Sequence, residues 1–95
     1  LPKSPAVQRD LALICDADTP VGSLNAAIKN GGGELLEELK LFDVYTGSQI
    51  ESGKKSVAYS ITLRSPERTL TDQEVDKTVE KILKELQSAG AQLRS

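Results

Sequence analysis

Lys55-Ser56-Val57-Ala58-Tyr59-Ser60-Ile61-Thr62-Leu63-Arg64-Ser65 is the stretch from which the rest of the chain can be read. Side chains of a β-strand point alternately to its two faces. Val57, Tyr59, Ile61 and Leu63 therefore share one side, and Ser56, Ala58, Ser60, Thr62 and Arg64 share the other. The first side is bulky and apolar, the second small and polar. That is the pattern of a strand in an antiparallel sheet covered on one face only.

Toward the N-terminus, the polar loop 47–53 precedes this strand, and a second strand is predicted over residues 34–46. There Phe42 and Val44 alternate with Asp43 and Tyr45. Before it, Val21, Leu24 and Ile28 make one apolar helical stripe. Thr19 suits the N-cap of that helix and Pro20 its first position. Gly31-Gly32-Gly33 ends it. A glycine triplet can mark a phosphate loop, but this one follows a helix and no Gly-Lys-Ser/Thr closes it, so it reads as a helix stop. Residues 7–16 form a first strand, with Leu11 and Leu13 on one side and Asp10, Ala12 and Ile14 on the other. Residues 1–5, with two prolines, read as an extended lead-in.

Toward the C-terminus, Ser65-Pro66-Glu67-Arg68 leads to a capping box at Thr71 and Glu74. Val75, Val79, Ile82, Leu83 and Leu86 then line one helical face to about Ala89, Gly90 stops the helix, and residues 91–94 form a short last strand. The order β-α-β-β-α-β predicts an α+β, ferredoxin-like fold: a four-stranded antiparallel sheet with two helices on one face.

The 95 residues make a single domain over 1–95, and 38% apolar with 27% charged residues is an ordinary globular composition. A formal charge of −2 and a pI near 5.1 weigh against a free-standing, non-specific nucleic-acid binder, though not against a local RNA contact. The one cysteine, Cys15, permits no internal disulfide and reads as a small buried residue in a cytoplasmic, reducing setting. With no histidine, a structural zinc site is not expected, and a Ser–His–Asp triad or Cys–His pair is excluded. No catalytic or metal-binding residue is assigned. No apolar run approaches the ~20 residues of a membrane span, and no signal peptide is visible. The start at Leu1 without methionine is read as that of a piece cut from a longer polypeptide.

Two helices cover one side of such a sheet. The other side would carry Asp43, Tyr45, Ser56, Ala58, Ser60, Thr62 and Arg64. A plain solvated face is one reading of this surface; an RNA-binding face is the other. A nucleobase stacking on an exposed tyrosine contributes roughly 1–3 kcal/mol. A carboxylate can accept hydrogen bonds from the Watson–Crick edge of guanine, and a serine hydroxyl can donate or accept. Tyr45, Asp43 and Ser56 supply these three groups. The basic residues Lys54, Lys55, Arg64, Arg68 and Arg9 could each meet a phosphate, an ordinary solvated charge being the other reading, and Lys55, Arg64 and Arg68 join the RNA-binding candidates.

Three segments carry a resemblance: Pro5-Ala6-Val7-Gln8-Arg9-Asp10-Leu11-Ala12-Leu13, then Leu41-Phe42-Asp43-Val44-Tyr45-Thr46-Gly47, then the run from Gly53-Lys54-Lys55-Ser56 through Ser65-Pro66-Glu67-Arg68-Thr69-Leu70-Thr71-Asp72. In this order and spacing they resemble the ferredoxin-like anticodon-binding domain that closes bacterial phenylalanyl-tRNA synthetase beta subunits. The resemblance implies a non-catalytic domain that holds the anticodon loop of phenylalanine tRNA while the alpha subunit aminoacylates. It implies that Tyr45 stacks on the first anticodon base, a guanine, that Asp43 and Ser56 bind its polar groups, and that Ala12 lies on the same surface. It further implies an alpha2beta2 parent enzyme, a phenylalanine–tRNA ligase using ATP and magnesium, with no cofactor in this domain and neither DNA nor membrane as partner. Relatives often carry an aromatic residue where this chain has Ser4, an arginine at Gln8 and a basic residue at Thr46, so phosphate contacts are not carried over to those points.

Two other activities share the strand order. Asp18-Thr19-Pro20-Val21-Gly22-Ser23-Leu24 loosely resembles the Asp-x-Pro-Gly-x-Leu turn of amino-acid-binding ACT domains, but Val21 separates proline from glycine. An acylphosphatase needs an arginine in a phosphate-cradling loop after the first strand, where this chain has Asp16 and Asp18.

Overall fold

The computed structural model describes residues 4–94, so the predicted lead-in at 1–3 lies outside the described residues. Strand β1 (Val7–Asp16) is followed by helix α1 (Val21–Gly32), a 3-10 turn (Gly33–Leu35), β2 (Leu36–Tyr45), β3 (Lys54–Leu63), α2 (Asp72–Ser88) and β4 (Gln92–Leu93). The strands form one antiparallel sheet in the order β2-β3-β1-β4. This is the ferredoxin-like arrangement. β3, with the clearest alternation, is an inner strand paired with β1 along its whole length, from Val7↔Leu63 to Asp16↔Lys54.

The apolar sides of β1 and β3 meet both helices in one core. Leu11, Leu13, Cys15, Val57, Tyr59, Ile61 and Leu63 pack with Leu24, Ala27 and Ile28 of α1 and Val75, Ile82 and Leu86 of α2. Each fully buried large aliphatic side chain contributes about 1.5–3 kcal/mol. Tyr59 is the largest fully buried side chain, and its hydroxyl donates to Asn25 Oδ1 at 2.6 Å, so the one polar atom it brings into the core is partnered.

Helix ends follow local chemistry, with two departures from expectation. Thr71 and Glu74 form the predicted capping box at the start of α2. For α1 the N-cap is Pro20, not Thr19, and no side chain caps it. Of the glycine triplet only Gly33, at φ 54°, acts as the stop; Gly31 and Gly32 are buried in the last turn of α1. A Cβ on Gly31 would stand 2.5 Å from the Ile82 Cα, so this glycine is what lets the helices touch backbone to backbone.

Strand β2 begins at Leu36, after the 3-10 turn, and not at 34. It is an edge strand with register shifts between Leu36 and Glu38 and between Leu41 and Asp43. Phe42 and Val44 were expected beneath the helices. Val44 does stand opposite Val57, on the helix side, but it is 48% exposed and Phe42 is 55% exposed. Helical cover over this strand extends to Leu36 and Leu39 and stops there. Among the described residues no helix is long and apolar enough to cross a membrane.

Candidate nucleic-acid interface

Directly opposed residues on neighbouring strands share a face, so the pairing register lays out the helix-free side of the sheet in rows. One row runs Tyr45, Ser56, Ile14, Gln92. The next runs Asp43, Ala58, Ala12, and then Arg94, whose backbone N–H donates to the Ala12 carbonyl at 2.8 Å. Lys40, Ser60 and Asp10 follow, then Glu38, Thr62 and Gln8. Tyr45, Asp43, Ser56 and Ala12 thus fall within two adjacent rows at one end of the open face.

The bulge at Leu41–Asp43 is what sends Asp43 and Tyr45 there. Leu39 and Leu41 pair with Ile61 and Tyr59 on the helix side. Unbroken alternation from them would turn Asp43 and Tyr45 toward the helices. The extra residue, Phe42, reverses the parity, so that Asp43 meets Ala58 and Tyr45 meets Ser56.

Tyr45 is 38% exposed, and Asp43 and Ala12 are exposed. The Tyr45 ring lies against the backbone of the following loop: a Cβ on Gly47 would stand 2.5 Å from its hydroxyl oxygen. Ser56 departs from expectation. It lies on the predicted side, but only 6% of it is exposed, flanked by Tyr45 and Ile14 and with the Arg94 guanidinium 3.4 Å from its Oγ. Only the hydroxyl is a candidate for contact, at the bottom of the surface.

Each of the three basic residues named with this group, Lys55, Arg64 and Arg68, has a partner within the fold. Lys55 has the parity of the helix side, opposite Cys15, and its ammonium donates to the Thr19 carbonyl at 2.6 Å. Arg64 lies on the open-face side but eight residues along the chain from Ser56, about 26 Å at strand rise, and it pairs with Glu37 at 3.1 Å. Arg68, in the connection before α2, forms a paired contact with Glu74. That guanidinium, with the Thr71 backbone N–H, pulls the Glu74 carboxyl down to about 2.

Sequence reasoning missed Arg94 and Ile50. Arg94 reaches the platform only because β4 pairs with β1, and a two-residue strand leaves little pattern to read. Ile50 is buried in a loop expected to be polar throughout. The Cys15 thiol is buried, which pushes its pKa up. Among the described residues no group of three or more His, Cys, Asp or Glu is placed to hold a metal.

A family model described as a ferredoxin-fold anticodon binding domain matches residues 2–94. The chain is 56% identical to the phenylalanine–tRNA ligase beta subunit of Clostridium tetani, over 99% of this chain and 12% of the relative. It is 50% identical to that of Halalkalibacterium halodurans, over 99% and 12%. With that of Shouchella clausii it shares 49% identity over 100% and 12%. The chain therefore spans about 12% of the length of these curated relatives. None of these matches supports the amino-acid-binding alternative.

Proposed function

Because the chain belongs to the ferredoxin-fold anticodon binding domains, we propose that the end of the open face around Tyr45 seats the first anticodon base, a guanine, of phenylalanine tRNA. The chain is then the non-catalytic, RNA-reading part of a phenylalanine–tRNA ligase beta subunit. Aminoacylation, with its ATP and magnesium, belongs to the rest of an alpha2beta2 enzyme. The names of the relatives support the choice of tRNA.

The observation that carries the reading is the register that sets an exposed tyrosine, Tyr45, beside Ser56 with Asp43 in the next row. Tyr45 offers its ring to one face of the base. Asp43 accepts hydrogen bonds from the guanine N–H groups, which adenine does not present in the same pattern. The Ser56 hydroxyl, held near Arg94, meets a polar atom at the base edge. Ala12 and Ala58, one row over, leave room for the nucleotide because their side chains stop at Cβ.

Asp43→Ala tests the assignment. Anticodon stem-loops with guanine or adenine at the first position are compared for binding to the wild-type and variant enzymes. The wild type favours guanine; the variant loses about 1–3 kcal/mol of that discrimination. An undiminished preference for guanine contradicts the role given to Asp43.

A further inference from the structure

Beside the Tyr45–Ser56 platform the same face holds a groove of about 410 Å³, lined by Ile14, Gln49, Ile50, Glu51, Gln92 and Arg94 among others. Ile14 and Gln92 continue the row of Tyr45 and Ser56 across β1 and β4. Two strand spacings, about 10 Å, separate the Tyr45 and Ile14 positions. Loop 46–53 brings Ile50 to the same groove, where it is buried. The groove is therefore continuous with the platform and not a separate feature of the surface.

Its chemistry suits a nucleotide. Ile14 and Ile50 give an apolar floor against which the flat face of a base can lie. Gln49 and Gln92 bring carboxamides, which donate and accept and so can match a base edge. Glu51, on the loop, accepts hydrogen bonds and repels phosphate. Arg94 also lines the groove; it pairs with no carboxylate among the described residues and stands 3.4 Å from Ser56 Oγ, on the border between platform and groove. On a domain with net charge −2, a guanidinium with no ion pair among the described residues, set beside the proposed base seat, is a specific asset for a phosphate.

We infer that this groove takes the base adjacent to the one stacked on Tyr45, and that Arg94 binds the phosphate joining the two nucleotides. The inference rests on the platform reading above. It is tested with the complete ligase and anticodon stem-loops in which each neighbour of the first anticodon base is made abasic in turn. For the wild type, one of the two abasic loops binds about fivefold to hundredfold more weakly than the intact loop. In a Gln49→Ala/Gln92→Ala variant that penalty largely disappears. Arg94→Gln weakens binding of every loop alike and lowers the slope of log affinity against log salt by about 0.7. Abasic penalties that persist undiminished in the glutamine variant, or a salt slope unmoved by Arg94→Gln, overturn the inference. Tyr45→Ala is measured in parallel. If it weakens binding while the groove variants do not, the groove assignment alone fails; if it binds as wild type, the platform reading fails and this inference with it.

Discussion

Tyr45 and Tyr59 carry the same side chain to opposite fates. Tyr59 stands in the inner strand among core residues, with no exposed surface and its hydroxyl on Asn25. Tyr45 ends the edge strand on the helix-free side, with its ring resting on the loop at Gly47. That resting place gives Gly47 a role: an added Cβ would meet the tip of the Tyr45 side chain, and at φ 158° the backbone is one that other residues rarely adopt, so ring and loop shift together. In Gly47→Ala the ring resonances of Tyr45 are expected to shift while those of Tyr59 stay in place. RNA affinity should fall by a fraction of the roughly 1–3 kcal/mol that a stacked base contributes. Unmoved Tyr45 resonances and unaltered RNA affinity in that variant contradict the close contact. The burial of Tyr59 and the exposure of Tyr45 were both legible in the sequence, because strict alternation in β3 and the local alternation of Phe42 and Val44 with Asp43 and Tyr45 fix their sides. The near-burial of Ser56 was not. It depends on Arg94, which is 38 residues away in the chain and arrives through a strand of two residues.

At the scale of elements, β1 and the capping box of α2 follow directly from local pattern, whereas β2 does not. Its leucines at 36, 39 and 41 and Val44 all face the helices, although their spacing fits no single alternation. Two register shifts reconcile them, and a bulge is a pairing event between strands that a one-dimensional pattern cannot locate. The partners of the basic residues were hidden for a similar reason. Lys55, Arg64 and Arg68 look like available cations in the sequence, but each has a partner, Thr19, Glu37 and Glu74 respectively, that only the tertiary arrangement supplies. The Arg68–Glu74 pair also predicts a pH dependence. The Glu74 carboxyl lies at about 2 in the fold against an ordinary 4.5, so its contribution to stability is complete above about 4.5 and is lost as pH falls toward 2. In Glu74→Gln, unfolding midpoints measured between pH 4.5 and 2 should fall less steeply than in the wild type. Parallel curves for the two proteins contradict the pairing.

At the scale of the molecule, the fold separates two tasks. One face of the sheet and both helices make the core. The other face is left with small and polar side chains and an exposed tyrosine that the core does not need. On the proposed function, the chain's net negative charge assigns long-range attraction of RNA to the remainder of the ligase and short-range recognition to this surface. The most direct test is Tyr45→Ala, measured twice: binding of the phenylalanine anticodon stem-loop to the complete enzyme, and denaturant unfolding of the 95-residue chain. Binding is expected to weaken by about 1–3 kcal/mol, with folding stability changed by no more than about 0.5 kcal/mol. Wild-type RNA affinity in the variant, or a stability loss as large as the binding loss, contradicts it.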